Sequence, residues 1–366
     1  MPESSLAAIF TGTDKPLETR SYPLPELKSE EVLIRITCCT ICGSDLHTYE
    51  GRRSTPLPTI LGHEILGEVA ALPEVAPCDV AGHTLSIGDR VTWSIAASCN
   101  QCFYCTHGLP AKCDQLFKYG HEAINTEHPL SGGLAEYCHL APGTAIVRIP
   151  ESLPDAVACP ANCATATVVA ALRIGGGCQD ETVLIQGAGM LGLSATALMA
   201  LRGAKHIIVS DINPQRLEQA TLFGATHTVS VAEGNADLAE VIERTTSGRG
   251  VDLAIELSGA ADSIQAGLQY VRIGGRYVLV GSVFPAPDVP ISAEWIVRRW
   301  LTIRGVHNYA PEDLREAVAF LEKAHTRYPL DTLVSKNFLL SQAEQAVQYA
   351  IRERPHRVAV LPAEGH

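Results

Sequence analysis

The sequence predicts an α/β protein of two domains, one built on a doubly wound parallel sheet and the other irregular and β-rich. From about residue 164 to residue 304, continuous apolar strands alternate with helices, as in a parallel sheet covered on both faces. Before residue 164, short alternating strands are interrupted by frequent glycine and proline, which is typical of an irregular β-rich fold. The length of 366 residues accommodates two domains.

The individual elements follow from short apolar runs and from helical spacing. A doubly wound sheet of six strands is predicted, with Thr182–Gln186, His206–Ser210, Val251–Ile255 and Arg276–Val280 among its strands. A strand is also expected at Glu31–Ile36, and near the end of the chain a helix at Pro311–Ala324 and a strand at Arg357–Leu361. We assign a first domain to residues 1–163, a second to 164–304, and a return to the first over 305–366.

Composition and charge exclude several classes of protein. Hydrophobic residues make up 46% of the chain and charged residues 19%, as in ordinary globular proteins. The net charge of −12 argues against a nucleic-acid partner, which needs a basic surface. Residues 1–10 lack a basic leader, and no apolar run approaches the roughly 18 residues of a membrane span. We therefore expect a cytoplasmic protein without a membrane partner.

Four closely spaced cysteines predict a metal-binding lobe at residues 97–115. Cys99, Cys102, Cys105 and Cys113 form a C-x2-C-x2-C-x7-C ladder. Four thiolates satisfy the tetrahedral preference of zinc and leave no open position. A disulfide cluster or an iron–sulfur site uses the same residues, but a cytoplasmic chain favours zinc.

A glycine-rich loop follows the strand Thr182–Gln186 and opens a helix. Gly187, Gly189 and Gly192 form a G-x-G-x-x-G pattern. The first glycine permits the tight turn, the second lets the backbone approach a pyrophosphate, and the third allows close helix–strand packing. The helix start, with Met190 and Leu191, favours an anion through its free N–H groups. A glycine turn without a ligand is the alternative.

Asp211 ends the next strand, nineteen residues after Gly192. A carboxylate at this position accepts hydrogen bonds from the ribose hydroxyls of NAD and repels the 2′-phosphate of NADP. Arg216 either covers the adenosine ribose or shifts the preference towards the phosphate. We predict NAD as the cofactor, and an Asp that only caps a helix is the alternative.

Three further candidate ligands, Cys42, His63 and Cys163, are not linked by any local spacing. Taken singly, Cys163 is typical of a small buried residue, and His63 of a core histidine with satisfied hydrogen bonds. Pattern alone therefore does not define a site here.

The order of the motifs, however, resembles the zinc-dependent medium-chain alcohol dehydrogenases over essentially the whole chain. The matching pieces are Cys42-Gly-Ser-Asp-Leu-His47, Gly62-His-Glu64, the cysteine ladder, Cys163 and the Gly187 loop. The resemblance implies a GroES-like catalytic domain and a Rossmann cofactor domain. It also implies two zinc ions per chain, the second held by Cys42, His63 and Cys163 with a fourth position open to water or alcohol.

The resemblance also implies roles for the residues around this second zinc. Ser44 is expected to accept the substrate proton and His47 to pass it to solvent, with a helix N-cap and an exposed bystander as the respective alternatives. Asp45 is expected to accept the other ring N–H of His63. Glu64 lies behind the metal in the family, and Arg357 is either its partner or part of a surface salt bridge.

The resemblance implies a small-molecule alcohol or carbonyl substrate, and the identity of this substrate is less constrained. Arg52, Arg53 and Lys118 would suit an anionic group, because guanidinium pairs with carboxylate or phosphonate oxygens. Parts of the chain resemble a subgroup associated with phosphonate catabolism, so a hydroxyphosphonate is one candidate. Solvated surface arginines are the alternative reading, and an apolar wall at Trp93 and Ile95 would admit a plain, polyol or cyclic alcohol.

Two other interpretations of the function stay open. Related quinone and enone reductases lack the catalytic metal, and a silent nucleotide-binding protein needs neither metal nor hydride transfer.

The resemblance further implies a homodimer or homotetramer joined through strand edges, for which Tyr277–Val280 and Leu301–Ile303 are candidates unless they are interior strands.

Overall fold

A computed structural model describes residues 2–284 and 287–362. Residue 1, residues 285–286 and residues 363–366 lie outside the described residues. The domain ranges predicted from the sequence, 1–163, 164–304 and 305–366, each include some of them. The chain divides into two compact units. The first unit comprises Met1–Ala166, Tyr309–His325 and Leu330–His366, and the second comprises Thr167–Asn308 and Thr326–Pro329.

The first unit is built on three β-sheets. Its largest sheet has the strand order Ile146–Arg148, Arg90–Trp93, Glu64–Ala71, Val32–Thr40, Arg357–Leu361, Val334–Leu339, with Tyr137–Leu140 also paired to Val32–Thr40. A second sheet has the order Glu18–Pro23, Ser4–Phe10, Thr59–Ile60, and a third pairs Ala96–Ala97 with Phe117–Lys118. Most of these pairings are antiparallel, and the strand at Arg357–Leu361 begins and ends where the sequence predicts.

The strand Val32–Thr40 lies near the centre of the largest sheet and leads the chain towards Cys42. It pairs with Glu64–Ala71 on one side and with Arg357–Leu361 on the other. Its apolar residues, such as Ile34 and Ile36, are buried in the main core. It extends beyond the predicted Glu31–Ile36, because a polar and cysteine-rich continuation is buried by its neighbours.

Short helices and 3-10 turns connect these strands. The α-helices of the first unit are Gly43–Tyr49, Phe103–Thr106, Asp155–Ala158, Pro311–Ala324 and Ala343–Glu353, and the 3-10 helices are Pro110–Lys112, Cys159–Asn162, Leu330–Leu333 and Leu340–Gln342. The helix Ala164–Ile174 spans the boundary between the ranges of the two units. The bounds predicted for Pro311–Ala324 are confirmed.

The second unit contains one parallel sheet in the order His227–Ser230, His206–Asp211, Thr182–Gln186, Val251–Glu256, Val271–Leu279, Thr302–Gly305. Its helices are Met190–Leu201, Pro214–Leu222, Ala236–Thr246, Ala261–Tyr270 and Ala293–Arg299. This order reverses direction beside Thr182–Gln186, as in doubly wound folds, and the predicted fold class is confirmed.

Two details of this sheet differ from the prediction. The fifth strand begins at Val271 rather than Arg276, because Gly274 and Gly275 interrupt the apolar run without ending the strand. This strand is paired on both sides, so Tyr277–Val280 is not an edge. Thr302–Gly305 is one of the two edge strands, with His227–Ser230 at the other end of the sheet, and it overlaps the other candidate.

Among the described residues, no single helix is both long and apolar enough to cross a bilayer. Only the bent pair Asp155–Asn162 and Ala164–Ile174 reaches that length and composition when the two are taken together.

Candidate functional site

The three ligands implied for the second metal lie together in the first unit. Cys42, His63 and Cys163 each place one ligand atom within 4.8 Å of the other two. Cys42 caps the helix Gly43–Tyr49, His63 directly precedes the strand Glu64–Ala71, and Cys163 follows the 3-10 helix Cys159–Asn162. The ends of three separate elements therefore form the cluster, with His63 fully buried and Cys163 partly exposed.

The imidazole of His63 is oriented by Asp45. Its Nδ1 lies 3.0 Å from Asp45 Oδ1, and the same carboxylate accepts the N–H of Cys42 at 2.9 Å and of Gly62 at 3.2 Å. Because a carboxylate only accepts, Nδ1 carries a proton, and in the neutral ring, which is the form that binds a metal, Nε2 keeps its lone pair. Ser44 Oγ lies 3.3 Å from that Nε2. Ser44 is not the helix N-cap, because Cys42 occupies that position.

The donor set fits zinc. Two sulfurs and one imidazole nitrogen are ligands that zinc accepts in catalytic sites, where three protein ligands leave a fourth position for water or substrate. The pKa of the Cys42 thiol lies well below its usual range. A hydrogen bond from Cys163, together with the nearby Arg357 and His63, lowers it by more than burial raises it. A metal requires this thiolate form.

Glu64 is held by a buried ion pair with Arg357. The guanidinium donates to both carboxylate oxygens of Glu64 at 2.6 Å, and Thr40 donates to one of them at 2.7 Å. A further N–H of Arg357 lies 3.5 Å from Cys42 Sγ. Arg357 is 5% exposed, so the alternative of a surface salt bridge is wrong.

Two residues that support this cluster were missed by the sequence analysis. Asn162 donates to the carbonyls of His63 at 3.0 Å and Trp93 at 2.9 Å, so it fixes the backbone of a ligand. Tyr309 donates to the carbonyl of Asn162 and accepts the N–H of Ile95. Asn162 is signalled only by its place before Cys163, and nothing in the sequence marks Tyr309.

His47 is half-buried on the same helix as Ser44, one turn further along. Burial, and secondarily the charge of Arg52, lowers the pKa of His47. It is therefore neutral near pH 7 and able to accept a proton.

A group of cationic and imidazole side chains, Arg53, Lys118 and His121, lies beside the cluster. Arg53 Nη1 lies 3.4 Å from His121 Nε2, and the ring of His121 is 5.1 Å from that of His63. Because guanidinium only donates, the proton of a neutral His121 is on Nδ1. That Nδ1 is buried and has no hydrogen-bond partner among the described residues.

The other predicted substrate residues lie in different surroundings. Arg52 is exposed and its Nε lies 3.5 Å from Glu50. Trp93 is fully buried against Tyr119, and Ile95 is buried with its N–H bound to Tyr309. Arg52 and Arg53 therefore have different surroundings: Arg52 faces solvent, whereas Arg53 is half-buried beside His121.

The four cysteines of the ladder converge on one point in the first unit. Their sulfurs lie within 4.8 Å of one another, with separations of 3.4 Å for Cys99–Cys113, 3.5 Å for Cys102–Cys105 and 3.9 Å for Cys102–Cys113. Sulfurs bound tetrahedrally to zinc lie about 3.8 Å apart, given Zn–S bonds of about 2.3 Å. The alternative of a disulfide cluster is wrong, because all four are free thiols.

The glycine loop of the second unit has the backbone that a dinucleotide needs. Gly187 has a φ of 104°, and a Cβ on Gly192 would lie 1.9 Å from the Gly187 carbonyl oxygen. At Gly189, by contrast, a Cβ would meet only Arg216 Nη1, at 3.9 Å. The Gly189 backbone is therefore open to an approaching ligand, and the helix Met190–Leu201, with Leu191 in its first turn, begins at this loop.

Asp211 ends the second strand of this sheet and is held beside the loop. Its two oxygens accept the N–H groups of Ala188 at 2.6 Å and Asn213 at 2.8 Å. The cap of the following helix is Asn213, so the alternative of a helix-capping Asp211 is wrong. Arg216 lies in the first turn of that helix.

Comparisons with known proteins agree with this architecture. Residues 28–151 match the family described as alcohol dehydrogenase GroES-like domain, and residues 191–323 match zinc-binding dehydrogenase. The chain is 31% identical to 5-exo-hydroxycamphor dehydrogenase of Pseudomonas putida over 91% of its length and 92% of that protein. It is also 31% identical to sorbitol dehydrogenase of Bacillus subtilis over 99% of its length and 98% of that protein.

An alcohol dehydrogenase from Thermotoga maritima has a similar structure, with a TM-score of 0.92 and 27% identity, over 98% of this chain and all of the other. The fold and site thus define a two-domain dehydrogenase. The chain belongs to the zinc-dependent medium-chain alcohol dehydrogenase family, and it is an oxidoreductase of that family. The family and enzyme class predicted from the sequence are confirmed.

Proposed function

We propose that this protein is an NAD-dependent zinc alcohol dehydrogenase whose substrate alcohol carries an anionic group. The cluster of Cys42, His63 and Cys163 supports the zinc chemistry, and the position of Arg53 beside it supports the anionic substrate. The ladder of four cysteines supports a second, structural zinc. When bound, a zinc ion would polarise the alcohol oxygen and NAD would accept the hydride.

The protein's own residues orient the metal ligands and move the proton. Asp45 fixes the tautomer of His63, so that Nε2 is the nitrogen available to a metal. The hydroxyl of Ser44, next to that nitrogen, accepts the alcohol proton, and neutral His47 passes it to solvent. Replacing Ser44 by Ala is expected to leave the zinc content unchanged and to slow alcohol oxidation strongly in a steady-state assay.

The ion pair between Glu64 and Arg357 supports a role for Glu64 behind the metal ligands rather than as a ligand itself. Both of its oxygens are engaged by the guanidinium, so the carboxylate is held behind the cluster. Moving to a metal would require it to break two charged hydrogen bonds. We infer that Glu64 does not ligate zinc while this pair is closed, and a crystal structure of the zinc-loaded resting enzyme with a Glu64 oxygen bound to the metal would contradict this.

Replacing Cys163 by Ala tests the metal assignment. The variant is expected to lose one zinc per chain and all measurable turnover, because two ligands hold a catalytic zinc poorly, while NADH still binds. Metal analysis and NADH fluorescence measure these effects. Cys138→Ala is the control, because Cys138 is a buried cysteine of the first unit outside both clusters. This variant is expected to keep both zinc and turnover. Normal turnover in the Cys163→Ala variant would refute the assignment.

The preference for NAD follows from Asp211. Its carboxylate lies beside the glycine loop, where it would repel a 2′-phosphate. Comparing kcat/KM with NAD and NADP tests this directly. Asp211→Asn is expected to reduce the preference about tenfold, which corresponds to about 1.4 kcal/mol. A wild-type preference for NADP would mean that Arg216 determines cofactor choice.

Charge and hydrogen-bond donors support an anionic substrate. Arg53 lies beside His121, and the charge of Arg53 and the sulfurs of the cluster all act on Lys118. The unpaired Nδ1–H of His121 adds a neutral donor. A carboxylate or phosphonate binds such a set because charged hydrogen bonds are about twice as strong as neutral ones. A hydroxyphosphonate or a hydroxycarboxylate is therefore the substrate class that we propose.

A screen of alcohols monitored by NADH absorbance tests this assignment. We expect anionic hydroxyalkyl compounds to give higher kcat/KM than neutral alcohols of equal size. Arg53→Met is expected to lower kcat/KM for the anionic substrate at least tenfold, while the value for the neutral one changes little. Arg52→Met is the matched control, because Arg52 is exposed and paired with Glu50. Equal losses of kcat/KM for both substrates would contradict the proposal that Arg53 binds an anionic group of the substrate.

A neutral cyclic or polyol substrate is the second candidate, because the relatives from P. putida and B. subtilis are named for such alcohols. The same screen decides between the two. Higher kcat/KM with neutral alcohols, unaffected by Arg53→Met, would favour this candidate.

We also propose a homo-oligomer located in the cytoplasm. The edge strand Thr302–Gly305 and the exposed Val297 and Trp300, which is 84% exposed, support association of second units. All twelve cysteines are free thiols, which agrees with a reducing compartment. Sedimentation analysis of the wild type and of Trp300→Glu, which is expected to dissociate, tests the oligomer; a monomeric wild type would contradict it.

A further inference from the structure

Three further side chains with metal-ligating atoms meet in the first unit, outside both cysteine-containing clusters. Glu31, His128 and His139 each place one ligand atom within 4.8 Å of the other two. Glu31 directly precedes the strand Val32–Thr40, and His139 lies opposite Leu33 in the neighbouring strand. His128 comes from the loop that leads to that strand. The cluster thus joins three segments that are separated in sequence.

One distance in the cluster fits two ligands of a single small cation, and it is also the length of a hydrogen bond. His139 Nε2 lies 3.1 Å from Glu31 Oε2. Two ligands bound tetrahedrally to zinc at about 2.0–2.1 Å lie about 3.3 Å apart. The rings of His128 and His139 are 4.9 Å apart. Glu31 and His139 are 3% and 1% exposed, so their positions are fixed by the surrounding core.

Neighbouring groups hold the ligands in place and leave nitrogen atoms unpaired. The N–H of Lys28 donates to Glu31 Oε2 at 2.8 Å, and Phe117 packs 4.8 Å from the ring of His128. The Nδ1 atoms of both histidines are buried and have no hydrogen-bond partner among the described residues. Burial also lowers the pKa of both imidazoles, so both are neutral near pH 7, as a metal ligand must be.

We propose that Glu31, His128 and His139 form a third metal site that takes zinc, with water completing its coordination. Two histidines and one glutamate are a known zinc ligand set, and the net charge of two neutral imidazoles and one carboxylate favours a divalent cation. The site is separate from the proposed reaction. It ties the loop carrying His128 to the start of the central strand Val32–Thr40, and it therefore stabilises the first unit.

Counting the zinc bound by variants of the full-length protein tests this proposal. The wild type, His128→Ala and His83→Ala are equilibrated with the same buffered free Zn²⁺, and bound zinc per chain is measured by mass spectrometry. His83 is an exposed histidine of the same unit and serves as the control. We expect His128→Ala to bind one zinc fewer than both other proteins. This difference does not depend on how many ions the cysteine clusters hold.

His128→Ala and Glu31→Gln alter a buried network, so either variant can lose stability for reasons unrelated to a metal. A second measurement therefore compares how the thermal midpoint of each protein responds to zinc. Raising free Zn²⁺ over the range in which the third ion binds is expected to raise the thermal midpoint of the wild type and of His83→Ala, but not of either cluster variant. The proposal would be overturned if the zinc count were the same in the three proteins of the first experiment and the midpoint response the same in all four proteins of the second. Such a result would show that the cluster is a hydrogen-bonded His–Glu pair without a metal.

Discussion

Lys118 is a half-buried cation whose charge changes within the ordinary range of assay pH. Burial, followed by the charge of Arg53, lowers the pKa of Lys118 to about 8. Lys112 acts in the same direction, and the thiols of Cys163 and Cys42 act against it. The ammonium form is therefore present below about pH 8 and is lost as the pH rises through that value.

This titration predicts a pH dependence that differs between substrates. The ratio of kcat/KM for an anionic alcohol to that for a neutral alcohol is expected to fall as pH rises through about 8, because only the anion uses the Lys118 charge. Taking the ratio cancels the steps that both substrates share. Lys118→Arg, which stays charged throughout, is expected to keep the ratio nearly constant. A flat ratio in the wild type would exclude a role for Lys118 in binding the anion.

Individual residues of the site were predictable to different degrees. The cysteine ladder could be predicted because its four ligands lie in one short segment. Cys42, His63 and Cys163 could be named only through a family resemblance, because the fold rather than local spacing joins them. Tyr309 could not be found at all, since its contacts with Asn162 and Ile95 cross long stretches of chain.

At the scale of elements, the strand–loop–helix unit at Thr182–Leu201 combines two glycines with different constraints. A Cβ at Gly192 would lie 1.9 Å from a backbone oxygen, so the helix and the loop cannot both keep their places. A Cβ at Gly189 meets nothing closer than 3.9 Å, and its φ of −75° suits any residue. Packing thus constrains Gly192, whereas Gly189 is constrained only if the proposed cofactor approaches its backbone.

This contrast predicts two distinct variants. Gly192→Ala is expected to lower the free energy of unfolding by about 1–3 kcal/mol and to abolish NADH binding, because the added methyl group overpacks the turn. Gly189→Ala is expected to unfold like the wild type, yet to bind NADH about tenfold more weakly, since its methyl group covers the bare backbone. Chemical denaturation and fluorescence titration measure the two effects. Wild-type NADH affinity in Gly189→Ala would show that no pyrophosphate approaches this glycine.

Elements with a clear period were predicted well, and short or interrupted ones were not. The bounds of Thr182–Gln186 and Pro311–Ala324 agree with the structure because each has a continuous apolar or helical pattern. Strands of two residues, such as Thr59–Ile60 and Ala96–Ala97, carry no pattern and depend on long-range pairing. The early start of Val271–Leu279 was missed because glycines hide a strand that its neighbours stabilise.

At the scale of the molecule, the end of the chain completes the sheet that carries the metal cluster. The strand Arg357–Leu361 pairs with Val32–Thr40, and Arg357 reaches Glu64 across 293 positions of sequence. The sequence analysis assigned residues 305–366 to the first domain, and this strand lies in the first unit. The burial of its first residue, Arg357, was one of two interpretations that the sequence left open, because an arginine usually indicates a surface position.

The buried pair of Glu64 and Arg357 leads to a prediction about the stability of the first unit. Arg357→Met leaves the Glu64 carboxylate buried without its cation, which is expected to cost about 3–5 kcal/mol in the free energy of unfolding. Arg20→Met, which removes an exposed partner of Glu18, is expected to change the free energy of unfolding very little, because solvent screens this ion pair.

Denaturant titration measures both costs, and the zinc content is compared in parallel because Arg357 also contacts Cys42. Adding Glu64→Gln to the Arg357→Met variant is expected to recover part of the loss, because the amide carries no buried charge. If Arg357→Met costs no more than Arg20→Met at equal zinc content, the pair does not hold the returning strand in place. The added substitution separates the two causes: recovery identifies the unpaired charge, whereas a lost metal would leave the double variant as unstable as the single one.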